Sequence, residues 1–319
     1  MNEQQGFSER NRAETPARLK PGGFYFLPDG GWLRIQGEDR AAFLQRQTTN
    51  DVGLLQVGRP LVTVLTSPTA RIIDVLILLH EENEIGVITL PGYVEKTVRF
   101  LRGRIFFMDK VTVIDDSANW AQMELIGEQA SEMAAALCVG KEFEGARYLS
   151  LPPTLSLGYR LLLPRQAVPV ARSALAAAGW VEISTEERHI LRVEAGLPAP
   201  HSELTEEYTP LEVGLQFAVS STKGCYTGQE VIARQITYDK VTRRLGGVRL
   251  SAPAPVGARL WAEDGAFAGE LTSFAQSPRF GAIGLAVIKR PYDETGTKLQ
   301  IGENLETGAP ALVTPLPFA

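Results

Sequence analysis

The chain has 319 residues, 44% of them hydrophobic and 22% charged, with a formal net charge of −5. That is the composition of an ordinary water-soluble globular protein, long enough for roughly two to three domains. Its weak acidity gives no global attraction to nucleic acid or to an anionic membrane, and two cysteines do not make a disulfide framework.

Residues 1–22 are polar, carry two prolines and end in PGG, the pattern of a frayed tail. Without a signal-like apolar core or a run of eighteen apolar residues, the expected location is cytoplasmic, with free thiols. WLRIQ predicts a strand from Gly31, followed by a helix in GEDRAAFLQRQ. Leu61–Leu65 and Ile72–Leu79 read as strands joined by SPTA, and Ile85–Leu90 as another. Val94, Val98, Leu101 and Ile105 then recur at helical spacing. VTVID and QMELIG are strands, EQASEMAAALCV a helix that buries Cys138, and YRLLLP–VPVARSALAAAG–WVEIS gives strand, helix, strand. In STEERHILRVEAGLP, Ser184 and Glu187 form a capping box, with Gly196 and Pro198 closing the helix. From Leu245 glycine and proline recur every 8–12 residues, predicting an all-β barrel. The fold class is therefore α+β. The expected lobes are 23–118 plus 195–244, then 119–194, then 245–319.

The most informative stretch is KGCYTGQEVIARQ, 223–235. Thr227 and Glu230 have capping-box spacing, which predicts Thr227 as the N-cap of a helix just behind Cys225. First-turn amides and Lys223 would then favour a thiolate at Cys225, and Gly224 and Gly228 would keep the approach open. Zinc is not expected, because no cysteines cluster and only three histidines are present. The glycines do not fit a phosphate loop, and spacing alone leaves a Cys–His–Asp hydrolase open. Six basic residues against two acids in 223–249 face eight acids against two bases in 182–212, an opposition that suits a zwitterionic ligand.

KGCYTGQE followed by EVIARQ closely resembles the signature of the YgfZ family of folate-binding proteins, which includes iron–sulfur assembly factors and is similar to the glycine-cleavage T-protein. GEDRAAFLQRQTTNDV, LRVEAGLP and YTPLEVGL agree in order, so the resemblance spans about residues 25–319. It implies three lobes around a central channel for tetrahydrofolate. Glu194 would accept the two neighbouring donors of the pterin, Trp32 would line the ring site, and Arg234 or Lys223 would meet the glutamate tail. The implied partners are folate and iron–sulfur client or assembly proteins, with neither nucleic acid nor membrane, and Cys225 would be the reactive thiol. Aminomethyltransferases carry two consecutive acids in the segment matching ARIIDVLIL, and here Asp74 is followed by Val75. The alternative function, a one-carbon transferase, would need Asp74 to assist proton transfer.

Overall fold

The computed structural model describes Leu19 and residues 21–319; the tail expected at 1–22 lies almost wholly outside the described residues. Two five-stranded sheets and one closed barrel make three lobes. The first sheet contains β2 (Gly31–Gln36), β3 (Leu61–Thr66), β4 (Ile72–His80), β5 (Glu84–Thr89) and β6 (Thr112–Asp115), in the order β3-β4-β5-β2-β6. Helices α1 (Arg40–Gln47) and α2 (Val94–Arg102) cover one face of it, packing against Leu33, Ile35, Leu76 and Leu78. Alternation along the strands sends Trp32, Val64, Val75 and Ile77 to the opposite face.

The second sheet contains β1 (Gly23–Leu27), β7 (Trp120–Ile126), β8 (Arg147–Ser150), β9 (Tyr159–Pro164) and β10 (Val181–Glu182), ordered β10-β1-β7-β9-β8. Helices α3 (Ala130–Ala136) and α4 (Val168–Ala177) close its outer face over Met123, Leu125 and Leu161. Strand β1 thus belongs to the second sheet, antiparallel to β7, although it precedes the whole first lobe in sequence. The expected first lobe from residue 23 is corrected accordingly: residues 23–27 belong to the second sheet.

Helix α5 (Thr185–Glu194) has its capping box formed. Ser184 Oγ accepts from Glu187 N at 3.2 Å, and Glu187 Oε2 accepts from Ser184 N at 2.7 Å. A connecting segment then returns to the first lobe, where Ile72 N donates to Tyr208 O and Tyr93 Oη donates to Leu204 O. After α6 (Gln229–Thr237) the chain enters the barrel, a closed ring β11-β14-β13-β12-β15-β16. Its strands are β11 (Arg243–Leu250), β12 (Arg259–Ala262), β13 (Phe267–Ser277), β14 (Gly281–Lys289), β15 (Lys298–Gly302) and β16 (Ala309–Thr314). Closure leaves no free edge, and Leu260, Leu271, Ile288 and Val313 fill the interior.

The lobes meet on one apolar cluster. Trp32, Val64, Val75 and Ile77 from the first sheet touch Leu149 and Leu162 from the second, Leu204, Tyr208 and Leu215 from the connecting segment, and Val287 from the barrel. No helix among the described residues is long and apolar enough to cross a membrane.

Candidate functional site

The loop carrying Cys225 is held at both ends. Lys223 is buried, and its ammonium donates to Gln45 O at 2.7 Å, Thr48 O at 2.6 Å and Asn50 O at 2.7 Å. Those carbonyls lie at the C-terminal end of α1 and just beyond it, where helix carbonyls lack partners and a cation is favoured. Burial draws the Lys223 pKa down to about 8, against a small opposing pull from Asp51. On the other side Tyr226 is buried among Ala70, Leu211 and Ile232. Thr66 Oγ1 donates to Thr227 O at 2.6 Å, fastening the loop to the end of β3. Two of the sequence stretches that carry the resemblance, TTND and KGCYTGQE, are therefore one physical unit.

Between the buried Lys223 and Tyr226, the thiol of Cys225 is exposed, and a side chain added at Gly224 would meet nothing within 4 Å. The helix start differs from the expectation. Gly228, not Thr227, is the N-cap of α6, at φ 84°, and no side chain caps the helix. A Cβ at Gly228 would come within 2.6 Å of Ser67 O, so the close approach to the β3–β4 turn selects glycine. Glu230 turns outward to Arg234, 2.6 Å away. The capping box expected behind Cys225 is unformed, and the Lys223 ammonium is spent on backbone carbonyls. For the same reason Lys223 is corrected from a ligand contact to a structural one. Arg234 lies on the outer surface in its pair with Glu230, apart from the lobe interior.

Asp74 is fully buried on the helix-covered face of the first sheet. Thr97 Oγ1 of α2 donates to its Oδ2, and Leu90 N donates to Oδ1 at 3.1 Å. Burial raises its pKa from 3.8 to about 7, despite those hydrogen bonds. The next residue, Val75, is the one that faces the central cluster. Asp74 is consequently turned away from the lobe interface, and its proposed role in proton transfer is corrected to an internal hydrogen bond between β4 and α2.

Trp32 is also sealed. It is 1% exposed and tilted against Trp120 at 6.0 Å, with Gly86 giving it room, because a Cβ there would sit 2.0 Å from the indole. The ring serves the packing of the first lobe on the second, which corrects the expectation that it lines a ring site directly.

Glu194 ends α5 against the barrel. Its Oε1 accepts from Ser277 Oγ at 2.6 Å. Its Oε2 is buried and accepts no hydrogen bond among the described residues, with Arg279 Nη1 at 3.6 Å. A buried carboxylate oxygen without a donor is costly, and it is the kind of acceptor a ligand N–H completes. Tetrahydrofolate fits this feature, since its pterin offers neighbouring donors and Glu194 retains unused lone pairs.

Two buried clusters escaped sequence reasoning. Glu203 Oε1 accepts from Thr272 Oγ1 and Ser273 Oγ, both at 2.6 Å, while Arg192 Nη1 reaches its Oε2 at 3.3 Å. A bulge in β13 at Thr272 turns both hydroxyls the same way. In the second lobe Glu124 lies between Arg160 and Arg188, at 3.1 and 2.7 Å. The opposed charge runs do meet at one point, where Glu212 pairs with Arg243 at 2.7 Å and Arg71 at 3.4 Å.

Comparison with known proteins accounts for this architecture. Residues 30–165 match the GCVT N-terminal domain, and residues 243–319 match the glycine cleavage T-protein C-terminal barrel domain. A chloroplastic protein of Arabidopsis thaliana named "Putative transferase" is 33% identical over 304 residues, covering 90% of this chain and 69% of its own length. An aminomethyltransferase of Bacillus velezensis is 26% identical over 317 residues, covering 92% and 86%. The crystal structure of glycine cleavage system aminomethyltransferase T from Bartonella henselae aligns with a TM-score of 0.82 at 22% identity, over 96% of this chain and 91% of that one.

Proposed function

The chain belongs to the glycine cleavage T-protein family, and on that premise we propose that it binds tetrahydrofolate and presents Cys225 as a working thiol to proteins that assemble or repair iron–sulfur clusters. The observation that carries the reading is the outward display of Cys225 between two buried anchors, Lys223 and Tyr226. A cysteine serving only to fill space has no need of such a mount. Membership of the YgfZ branch in particular rests on the motif KGCYTGQE itself.

Glu194 is the residue that would hold the pterin, through the buried oxygen left without a donor. A bound reduced folate would supply a redox-active ring and, in its methylene form, a one-carbon unit. The chain's own contribution is to orient that ring and keep water from it within the lobe interface. A single thiolate cannot hold a cluster, which needs about four thiolates or equivalents. Cys225 instead acts with a partner, either lending one ligand to a shared cluster or attacking a partner disulfide. In the second case its sulfur bonds to one partner sulfur and the other leaves as thiolate, so no outside oxidant is required.

The relatives favour a second reading, one-carbon transfer to an unidentified acceptor. Val75 at the inward position and Asp74 locked against Thr97 argue against it, because no acid of that pair faces the interior. Three measurements separate the readings. Glu194→Ala should weaken tetrahydrofolate binding roughly 5–150-fold in calorimetric titration with the fold kept, the value of about 1–3 kcal/mol of unpaired donors; equal affinities would refute the folate assignment. Cys225→Ser should fail to restore cluster-dependent enzymes in a deletion strain that the wild type restores. Turnover of methylenetetrahydrofolate with an acceptor would instead establish the transferase.

A further inference from the structure

Three adjacent large apolar residues stand outside every core cluster of the fold. Between α2 and β6 the chain reads RIFFMDK, 104–110. Ile105 and Val111, on either side of the apolar tip, pack on the core of the first sheet. Phe106, Phe107 and Met108 are instead 66%, 97% and 74% exposed. Asp109 N donates to Phe106 O at 2.9 Å, so Phe107 and Met108 take the two corner positions of a four-residue turn. Glycine, proline, asparagine or aspartate is usual at such corners. The turn is firmly held. Phe106 N and Arg46 Nη2 of α1 donate to the two oxygens of Asp109, at 3.0 and 2.7 Å, and Lys110 N donates to Asp39 Oδ2 at 2.9 Å. An ordered turn that aims three apolar side chains at solvent contributes nothing to the core, and such patches mark surfaces that meet something else.

The charge behind this tip is positive. Residues 94–111 hold five basic residues against two acids, in a chain whose net charge is −5. The carboxylates around the turn are taken: Asp109 by Arg46, Glu38 by Lys110 and Glu95 by Arg99. Asp39 receives Lys110 N and is followed by Arg40. Arg102 and Arg104 have no carboxylate partner among the described residues. Arg102 donates to Val113 O at 2.8 Å, and the Arg104 guanidinium lies over the Phe100 ring, 3.5 Å from its centre.

We propose that the 106–108 turn is a membrane-docking tip, which inserts Phe106, Phe107 and Met108 beneath the headgroups of an anionic lipid surface while Arg102 and Arg104 stay among the phosphates. The order of the layers is what fits. The turn is apolar outermost and cationic behind, and an anionic bilayer presents hydrocarbon beneath negative headgroups. A protein partner fits less well, because the three side chains offer roughly 400–500 Å² at about 200 Å² each. A standard protein interface needs about 800 Å² from each side, whereas insertion into a bilayer has no such minimum. The tip and the arginine pair are two signals, each weak alone, so attachment is reversible. The resemblance implies no membrane partner and the whole chain is acidic; the turn is a local exception to both.

The test is cosedimentation of the full-length protein with vesicles of equal parts phosphatidylcholine and phosphatidylglycerol, and with vesicles of phosphatidylcholine alone. Wild type should bind the mixed vesicles roughly tenfold or more tightly, the value of two arginines at an anionic surface, and the preference should shrink as salt is raised. Phe107→Ser combined with Met108→Ser touches no core contact and leaves the Asp109 hydrogen bonds in place, so its urea midpoint should match wild type. That variant should bind the mixed vesicles at least about tenfold more weakly. Arg102→Gln combined with Arg104→Gln should lose the preference for the anionic lipid. Wild type that does not pellet with the mixed vesicles, that binds both kinds equally, or that is matched by the double-serine variant overturns the proposal. Sedimentation velocity without lipid covers the other occupant: a wild-type dimer that the double-serine variant lacks would assign the turn to a second copy of the chain and overturn the lipid reading. All of these outcomes leave the folate reading untouched.

Discussion

Replacing Lys223 by methionine keeps the aliphatic stem and removes the ammonium, so it isolates the three hydrogen bonds to Gln45 O, Thr48 O and Asn50 O. All three are short, 2.6–2.7 Å, and Lys223 is buried. Bonds to a charged group contribute about 1.5–3 kcal/mol each in net terms, which gives roughly 5–9 kcal/mol if they added fully. They do not, because burying the ammonium itself carries a penalty, visible in its pKa of about 8. With that offset, Lys223→Met should destabilise the protein by about 2–4 kcal/mol, mostly as the cost of stranding carbonyls at the end of α1. Urea unfolding followed by tryptophan fluorescence measures the loss. Hydrogen exchange should localise it to the end of α1 and the 220–228 loop. Stability within about 0.5 kcal/mol of wild type, the ordinary range for a surface substitution, together with weakened folate binding, would return Lys223 to the ligand.

Gly228→Ala should cost at least about 1–2 kcal/mol in the same urea assay, because φ is 84° there and Ser67 O stands 2.6 Å from the added carbon; a neutral result would mean that the β3–β4 turn gives way freely. Cys225 should react with iodoacetamide faster than Cys138, which is half-buried with its thiol pushed up to about 11 by desolvation. Peptide mass spectrometry over a time course reads both, and equal rates would remove the distinction. For Asp74 the folded pKa is raised, so its protonated form contributes stability that is fully present below about 3.8 and lost as pH rises through about 7. Asp74→Asn should flatten the stability profile across that window without changing tetrahydrofolate affinity, and an unchanged profile would refute the assignment.

The parts of this fold written in local pattern were legible in the sequence. Ser184 and Glu187 lie within one helical turn, and their capping box formed as the spacing predicts. The barrel likewise announces itself through turn residues between short alternating runs. What escaped depends on partners far away in the chain. GFYFL is strand-like, but that it pairs with β7 rather than β2 is settled a hundred residues later. Thr227 and Glu230 satisfy the capping-box spacing as well as Ser184 and Glu187 do. Contacts with Thr66 and Ser67 fix the backbone at Gly228 first, and the local signal loses. In the candidate site, Asp74 was misread because alternation does not say which face of a sheet looks inward, whereas Trp32 does look inward but is sealed by Trp120 of the second sheet, a partner that the local pattern does not show. Arg160 sits in an apolar run, YRLLLP, and its partner Glu124 stands opposite it on another strand, 36 residues earlier.

Helix α5 spans about 15 Å at the usual rise per residue, yet three of its side chains reach three different parts of the molecule. Arg188 reaches Glu124 in the second sheet, Arg192 reaches Glu203 in the connecting segment, and Glu194 reaches Ser277 in the barrel. Each of these partners is buried, so none of the parts can detach without exposing a stranded charge or hydroxyl. The consequence is cooperativity. A chain with three separate sheets would ordinarily melt in steps, but here the lobes share one helix as a common member and should unfold in a single transition. A ligand gripped by that helix would raise the melting temperature of the barrel as much as that of the sheets, even though it touches only a few residues of either.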